Sequence, residues 1–175
     1  SANHNGSYNR AVKLINAAKK YGADAVKLQT YSADTMTIKV TNSYFKIKRG
    51  IWKNQYLWNL YDKAKTPLNW HPKLFDHAKK IGITIFSTPF DETAVDFLEK
   101  LKWPFYKVAS FEMNDIPLIK KIAKTGKPLI ISTGMADLSE ITKAYKTAKK
   151  FGAKNISLLY CVSNYPSDKK DFNMK

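Results

Sequence analysis

Pro128-Leu129-Ile130-Ile131-Ser132 is a short apolar run that ends on a polar residue, and similar runs recur along the chain. Near-continuous apolar runs of this length are typical of strands that are buried on both faces of a parallel sheet. Lysine-rich amphipathic segments alternate with the runs, which indicates an α/β fold in which helices cover the sheet. The other runs span residues 25–29, 83–87, 105–109 and 156–161.

Capping residues mark the ends of the predicted helices. Asp137 followed by Glu140 is a capping-box pattern, and Asp91 is placed to cap the helix that follows it. Thr66 before Pro67 predicts an N-cap residue followed by a proline at the first helical position. Left-handed glycines are expected just after several helices, because glycine adopts a positive φ without steric cost. These glycines are Gly22, Gly82, Gly126 and Gly152.

Two parallel folds fit this alternation, a doubly wound sheet and a (β/α)8 TIM barrel. Both bind ligands at the carboxyl ends of their strands. No G-x-G-x-x-G motif or P-loop follows a run. Polar residues follow every run and are not concentrated at the single switch point of a doubly wound sheet, which favours the barrel. Residues 3–6 have the composition of a loop that leaves a strand outside this chain. We therefore predict an incomplete TIM barrel with about strands two to six, and residues 1–175 as one partial catalytic domain.

The composition is that of a globular domain, with 44% hydrophobic and 25% charged residues among 175. No stretch reaches the roughly 18 apolar residues of a membrane span, so we expect no membrane partner. Cys161 is the only cysteine in the sequence. A single cysteine excludes an internal disulfide and favours the cytoplasm as the compartment.

The net charge of +16 raises a second class of function, a basic nucleic-acid-binding domain. Bidentate hydrogen bonds to phosphates and to base edges favour arginine. Nearly all basic residues here are lysines, and the arginines are Arg10 and Arg49. The lysines are also spread over every predicted helix, as a solvated surface would have them. We therefore expect no nucleic-acid partner. A basic nucleic-acid-binding domain remains the alternative from a different class of function.

Two lysines within predicted strands point to an anion site. Lys27 and Gln29 lie on one face of their strand by the period of two, and Lys107 is in the middle of another run. Removing a lysine from water is costly unless an anion meets it, although a lysine that reaches solvent would be harmless. Polar side chains that could bind a phosphate or carboxylate recur after four strands. These residues are Thr88, Ser110, Ser132, Thr133, Ser163 and Asn164.

Glu112 is a candidate acid or base, or an acceptor for a substrate hydroxyl group. Strict alternation puts Ser110 and Glu112 on the opposite face of the strand from Lys107. They join Lys107 only if the strand ends or bulges near Ala109, and we expect it to end there. The alternative is that Glu112 is an ordinary carboxylate at a helix N-terminus.

Several strings in this sequence closely resemble the sialic acid synthase family. They are SANHNGS at 1–7, GADAVKLQT at 22–30, FSTPFD at 86–91, YKVASFE at 106–112, KPLIISTGM at 127–135 and CVSNYP at 161–166. Residues 61–71, with the sequence YDKAKTPLNWH, are similar to the segment found in pseudaminic acid synthases. The resemblance covers nearly the whole chain and implies a TIM-barrel transferase.

The activity implied by the resemblance is the condensation of phosphoenolpyruvate with an N-acetylated amino sugar, with release of phosphate. The rival enzymes are N-acetylneuraminate and legionaminate synthases. Glu112 and Lys107 are implied as catalytic residues, and Gln29, Glu112 and Tyr165 as contacts of the sugar, with Asn3 and His4 near that site. The residues implied for the phosphate and carboxylate of phosphoenolpyruvate are Lys27, Thr88, Lys107, Ser110, Ser132 and Asn164.

The resemblance also implies partners that these residues do not supply. Mn²⁺ or Mg²⁺ would polarise the sugar aldehyde, with ligands expected outside this chain, since His4, His71 and His77 match no metal-ligand position of the family. His71 and His77 are expected on a helix. The C-terminal antifreeze-like (SAF) domain of the family is likewise expected outside this chain, and the full-length protein is expected to be a homodimer. We accordingly expect this chain alone to be inactive.

Overall fold

The computed structural model describes residues 2–164 and 167–173. Strands and helices alternate along these residues, as the apolar runs predict. Strands β1 to β5 span Ala25–Thr30, Thr84–Pro89, Tyr106–Val108, Leu129–Ser132 and Ile156–Leu159. Helices α1 to α7 span Tyr8–Lys20, Ala33–Met36, Leu57–Ala64, His71–Ile81, Glu92–Lys100, Ile116–Ala123 and Leu138–Lys150. Short 3-10 helices span Ala2–His4, Ser43–Phe45, Leu68–Trp70, Ser110–Glu112 and Lys169–Phe172.

The five strands belong to one sheet in the order β1-β2-β3-β4-β5. The pairing of β3 with β4 and of β4 with β5 is parallel, which confirms the predicted α/β class. Lys107 of β3 is opposite Ile130 of β4, which is opposite Ser157 of β5. Because side chains alternate between faces, these three residues share one face of the sheet.

The chain divides into two compact units, Ser1–Ser87 and Thr88–Lys175, with the boundary inside β2. In the first unit, α1 and α4 pack together and α1 also packs on β1. The apolar faces of these elements form the core, in which Ile15, Leu74 and Ala78 are buried. The core also contains buried polar side chains. They are His4, Thr30, Thr66, His71 and Ser87.

In the second unit, α5, α6 and α7 pack in sequence, and α7 also packs on β5. Trp103, Leu118 and Ile122 are fully buried there, as are Tyr106 and Val108 of β3. The buried apolar residues of α6 lie three or four positions apart, the spacing of one helix face. Strand β3 therefore has one buried face, and Lys107 lies on the other face.

Most of the predicted helix ends are confirmed. Asp137 accepts a hydrogen bond from the backbone N–H of Glu140, whose side chain accepts one from the N–H of Asp137. Asp91 caps α5 by accepting hydrogen bonds from two backbone N–H groups. The four predicted glycines have positive φ angles. These are 85° at Gly22, 70° at Gly82, 69° at Gly126 and 109° at Gly152.

The prediction for Thr66 and Pro67 is wrong. Pro67 is itself the N-cap of the 3-10 helix Leu68–Trp70, and α4 begins only at His71. Thr66 is not the N-cap of either helix, and its Oγ1 is instead 3.4 Å from Nε2 of His4. His71 and His77 do lie on α4, as expected from the sequence.

The long connection after β1 has little regular structure of its own. It contains α2, the 3-10 helix Ser43–Phe45 and an antiparallel bridge between Lys46 and Tyr56. Trp58 Nε1 donates a hydrogen bond to Asp34 at 2.8 Å, which ties α3 to α2. No helix within the described ranges combines the length and the apolar character that a membrane crossing requires.

Candidate anion-binding site

Lys107 is the central cation of the candidate site in the second unit. It lies in the middle of β3 and is half-buried, while its neighbours Tyr106 and Val108 are fully buried on the other face. Burial lowers the pKa of the Lys107 ammonium group, and the nearby Cys161 and Glu112 oppose that shift. The lowered pKa means that burial disfavours the protonated form of Lys107. An anionic ligand close to the ammonium group would stabilise that protonated form.

The end of β3 brings Glu112 to the side of Lys107. The strand ends at Val108 and a 3-10 helix follows from Ser110 to Glu112, so the predicted end of the strand near Ala109 is confirmed. Alternation between faces no longer applies after the strand ends, and the Glu112 carboxyl interacts electrostatically with Lys107. Burial raises the pKa of Glu112, and Lys107 acts in the opposite direction.

Two buried oxygen atoms in this unit lack a hydrogen-bond partner among the described residues. They are Oγ1 of Thr88, whose residue is fully buried, and Oε2 of Glu112. Buried polar atoms are nearly always paired, because an unpaired one costs the free energy of its lost hydration. Both atoms are therefore positions where a polar ligand would supply the missing partner.

Gly134 holds the loops after β3, β4 and β5 close together. Its backbone N–H donates a hydrogen bond to Oγ of Ser110 at 3.2 Å. A Cβ atom at this position would be 2.2 Å from Oγ of Ser163 and 3.0 Å from Oγ of Ser110. No side chain fits there unless these hydroxyl groups move. Sequence reasoning missed Gly134 as a site residue, although the Ser-Thr-Gly string after β4 was the available signal.

The other predicted residues of the second unit differ in exposure. Ser132 ends β4 and is buried, whereas Asn164 is exposed. Thr133 donates a hydrogen bond from Oγ1 to the carbonyl oxygen of Leu159 at 3.0 Å, so its hydroxyl is used to join the ends of two strands. Tyr165 lies outside the described residues.

In the first unit, Asn3, His4 and Lys27 line one cavity of about 160 Å³ between α1 and β1. Gln29 is half-buried on the same face of β1 as Lys27, two residues further along the strand. Lys27 is exposed, so the expectation that it is desolvated within the strand is wrong. The argument from desolvation therefore applies to Lys107 and not to Lys27.

His4 is buried and both of its ring nitrogens have protein neighbours. Nδ1 accepts a hydrogen bond from the backbone N–H of Gly6 at 3.0 Å, so the proton of the neutral ring is on Nε2. Nε2 is 3.4 Å from Oγ1 of Thr66, and the ring packs edge-on against Trp70. Burial lowers the pKa of His4, which favours the neutral form. The predicted contact between His4 and a sugar stays a prediction.

The part of the chain that the structure describes holds no group of three His, Cys, Asp or Glu side chains that could bind a metal ion. His77 is instead hydrogen-bonded to Oδ1 of Asn16 at 2.6 Å, and His71 to the carbonyl oxygen of Pro67 at 3.1 Å. The described residues therefore do not fit the metal that the resemblance implies, and no chemical step is derived through it.

Residues 14–175 match the NeuB family, and the chain belongs to that family. This confirms the resemblance to sialic acid synthases. The pseudaminic acid synthase of Helicobacter pylori is 45% identical over 174 residues, which are 99% of this chain and 51% of that protein. The N,N'-diacetyllegionaminic acid synthase of Campylobacter jejuni is 40% identical over 99% of this chain and 52% of that protein. The chain thus spans about half the length of the curated relatives it matches.

Solved structures support the same fold. The crystal structure of an N-acetylneuraminic acid synthetase from Leptospira borgpetersenii, in complex with citrate, has a TM-score of 0.85 and 30% sequence identity. The match covers 98% of this chain and 55% of that chain. The structural neighbours are TIM-barrel-like, so the predicted partial β/α barrel is confirmed.

The environment of Glu112 generates a prediction about stability and pH. Because the pKa of Glu112 is raised in the folded protein, its ionised carboxyl group destabilises the fold. This effect is absent below the ordinary pKa of 4.5 and grows as the pH rises from there to the raised value. We expect Glu112→Gln to have the melting temperature of the wild type near pH 4 and a higher one at pH 7.

Thermal unfolding of both proteins across this range, followed by circular dichroism, measures the difference. A difference that stays constant with pH would show that Glu112 does not titrate as its burial implies. Thermal unfolding of Glu140→Gln, which removes one charge from the exposed capping box of α7, shows how much of the change is specific to Glu112.

Proposed function

We propose that the protein carrying this chain condenses phosphoenolpyruvate with an N-acetylated amino sugar to give a nonulosonic acid, and that its product is of the pseudaminic acid type. The observation that carries this proposal is the pair of Lys107 and Glu112 at the end of β3, beside loops that converge on Gly134. Two of the relatives support the same reaction class by name, a pseudaminic and a legionaminic acid synthase.

Phosphoenolpyruvate carries a phosphate and a carboxylate, and the site offers a cation and several hydroxyl groups. We assign the phosphate and carboxylate to Lys107 with the hydroxyl groups of Thr88, Ser110 and Ser132. The unpaired Oγ1 of Thr88 would gain a partner on binding. A fixed cation in a partly desolvated site holds an anion more strongly than the same charge in water. Lys27 and Asn164 are proposed as further contacts of this substrate.

The amino sugar is assigned to Gln29, Glu112 and Tyr165, with Asn3 and His4 near it. Asn3 and His4 line a cavity together with Val26 and Leu28 of β1, which supports placing sugar contacts near that strand. The raised pKa of Glu112 suits a carboxyl group that exchanges a proton with the sugar oxygen. Glu112 is therefore proposed as the acid or base and Lys107 as the catalytic cation.

The proposed reaction conserves atoms and charge as follows. The C3 carbon of phosphoenolpyruvate forms a bond to the aldehyde carbon of the open-chain sugar, and the aldehyde oxygen becomes a hydroxyl group. Water adds to C2, the bond between C2 and the bridging oxygen breaks, and inorganic phosphate leaves as the keto group forms. Of the two protons of the water, one ends on the former aldehyde oxygen and the other on the phosphate. Lys107 offsets the charge of the phosphate throughout, since the group remains anionic from substrate to product.

The proposal extends to components beyond the described residues. It includes Mn²⁺ or Mg²⁺, a C-terminal antifreeze-like domain and a homodimer, each implied by the resemblance, and a cytoplasmic location. Metal-ligand residues are proposed to lie outside residues 1–175, and no step above is assigned to the ion.

The substrate is tested by phosphate release. The protein expressed from its complete reading frame is incubated with phosphoenolpyruvate and, in turn, the amino-sugar precursors of pseudaminic, legionaminic and N-acetylneuraminic acid. We expect the highest kcat/KM with the pseudaminic acid precursor. A higher value with another precursor would move the protein to that branch, and no release with any of them would refute the synthase function.

Lys107→Ala is expected to lower kcat/KM by roughly 100- to 1,000-fold while the protein stays folded, because it removes the cation that stabilises the reacting phosphate. Lys154→Ala is the matched control, since Lys154 is exposed in the turn before β5 and should change the rate less than about twofold. Steady-state phosphate release and circular dichroism measure both variants. Wild-type rates for Lys107→Ala would rule out its assigned role.

Gly134→Ala is expected to weaken phosphoenolpyruvate binding about tenfold or more, because the added Cβ displaces the hydroxyl groups of Ser110 and Ser163. Titration calorimetry with phosphoenolpyruvate measures the dissociation constant. Lys154→Ala serves as the control here too, since Lys154 is exposed in the turn before β5. Equal affinities for Gly134→Ala and the wild type would show that the three loops do not form the anion site.

A further inference from the structure

Three polar side chains form a hydrogen-bonded group inside the first unit. Thr30, His71 and Ser87 are each fully buried. Oγ1 of Thr30 is 2.9 Å from Nε2 of His71 and 2.6 Å from Oγ of Ser87. The group therefore connects the last residue of β1, the first residue of α4 and the fourth residue of β2, and Thr30 is at its centre.

The direction of each hydrogen bond in this group is fixed by its chemistry. The carbonyl oxygen of Pro67 can only accept, so Nδ1–H of His71 donates to it at 3.1 Å. Nε2 of the neutral ring then accepts from the hydroxyl of Thr30. A hydroxyl group has one proton, so Thr30 in turn accepts from Ser87. Burial lowers the pKa of His71, and a neutral ring is the form that this arrangement requires.

In β1, this group lies on the face opposite to Gln29, which is assigned to the sugar. Leu28 and Thr30 are buried on one face of β1, whereas Lys27 and Gln29 lie on the opposite face. The position of Thr30 therefore sets the position of Gln29, the preceding residue. Ser87 similarly precedes Thr88 in β2.

The same group is connected to the loop that contains Asn3 and His4. His71 is bonded to the carbonyl oxygen of Pro67, and the preceding residue, Thr66, has its hydroxyl 3.4 Å from Nε2 of His4. The turn at Thr66 and Pro67 thus has a buried histidine on each side. One comes from the N-terminal 3-10 helix and the other from α4.

We propose that Thr30, His71 and Ser87 are positioning residues for the amino sugar, which hold Gln29 and the His4 loop at the distance that the sugar requires. This inference rests on the proposed function, because that function assigns Gln29 and His4 to the sugar. The three residues do not contact the substrate themselves. A structural role alone would stabilise the fold and leave the balance between the two substrates unchanged.

Thr30→Val tests the inference because valine keeps the shape of threonine and removes the hydroxyl group. In the protein expressed from its complete reading frame, we expect the KM for the amino sugar to rise about tenfold and the KM for phosphoenolpyruvate to stay within about twofold. Thr30→Ser retains the hydroxyl and should restore the sugar KM to within about threefold of the wild type.

Thr125→Val is the matched control. Thr125 is half-buried in the second unit, and its Oγ1 donates a hydrogen bond to the carbonyl oxygen of Ile122 at 2.7 Å. The same Oγ1 accepts a hydrogen bond from the backbone N–H of Lys127 at 3.3 Å. Loss of the hydroxyl group removes these two hydrogen bonds after α6, which involve none of the residues assigned to the sugar, so both KM values should stay within about twofold of the wild type. A similar rise in sugar KM for Thr125→Val would overturn the inference, because the effect would then be a general loss of stability.

Ser87→Ala supplies a second and milder test, since Thr30 keeps its bond to His71. We expect a rise of about threefold in the sugar KM. The double variant Thr30→Val with Ser87→Ala should resemble Thr30→Val alone, because both changes remove the same hydrogen bond. If Thr30→Val does not fold, the selective change of the sugar KM in Ser87→Ala decides the question.

The outcomes separate this inference from the proposed function. Phosphate release by the wild type with unchanged sugar KM values in Thr30→Val and Ser87→Ala would overturn the inference alone. Equal changes in both KM values would also overturn it, as would equal KM values for Thr30→Val and Thr30→Ser. Absence of phosphate release by the wild type with all three precursors would overturn the proposed function and the inference together.

Discussion

Parallel pairing of β3, β4 and β5 is the constraint on which the second unit depends. It places the carboxyl ends of the three strands at one edge of the sheet, so the short loops that follow must share the space beyond that edge. One face of β3 and β4 is buried, as the burial of Tyr106, Val108 and Ile131 shows, whereas β5 is largely exposed. The opposite face carries Lys107 and is where polar side chains can meet a ligand.

The position of Lys107 illustrates how burial and chemistry are linked in this fold. A lysine on the helix-covered face would be enclosed by apolar side chains, whereas a lysine at an exposed strand end would be surrounded by water. Lys107 is between these limits, because it is half-buried and has the carboxyl group of Glu112 nearby. Partial desolvation lowers its pKa without removing access for an anion.

The sequence predicts the strands of this fold well and its long-range polar contacts poorly. Apolar runs locate β1 to β5 because each strand is a short run of mostly apolar residues between polar segments. Burial on both faces, which the runs also predict, is wrong for β5, where Ser157, Leu158 and Leu159 are exposed. The end of β3 at Val108 agrees with the prediction of an end near Ala109. That prediction came from Glu112 and Lys107, which can lie on one side of the strand only if the strand ends there. Capping residues such as Asp91 act on their own helix, and a local pattern is sufficient to identify them.

The failures concern residues whose partners are distant in sequence. Thr66 has the pattern of a helix cap, yet its hydroxyl lies near His4, 62 residues away. Thr30 is bonded to residues 41 and 57 positions away, and no periodic pattern indicates those contacts. The exposure of Lys27 likewise depends on which elements surround β1, a tertiary property that the strand's own sequence does not contain.

The close packing around Gly134 has a consequence for how enzymes of this fold can vary. A side chain at this position displaces the hydroxyl groups of Ser110 and Ser163 together, so one substitution there alters two loops at once. Under the proposed function, single substitutions that change the sugar preference would therefore be expected near β1 and not at Gly134.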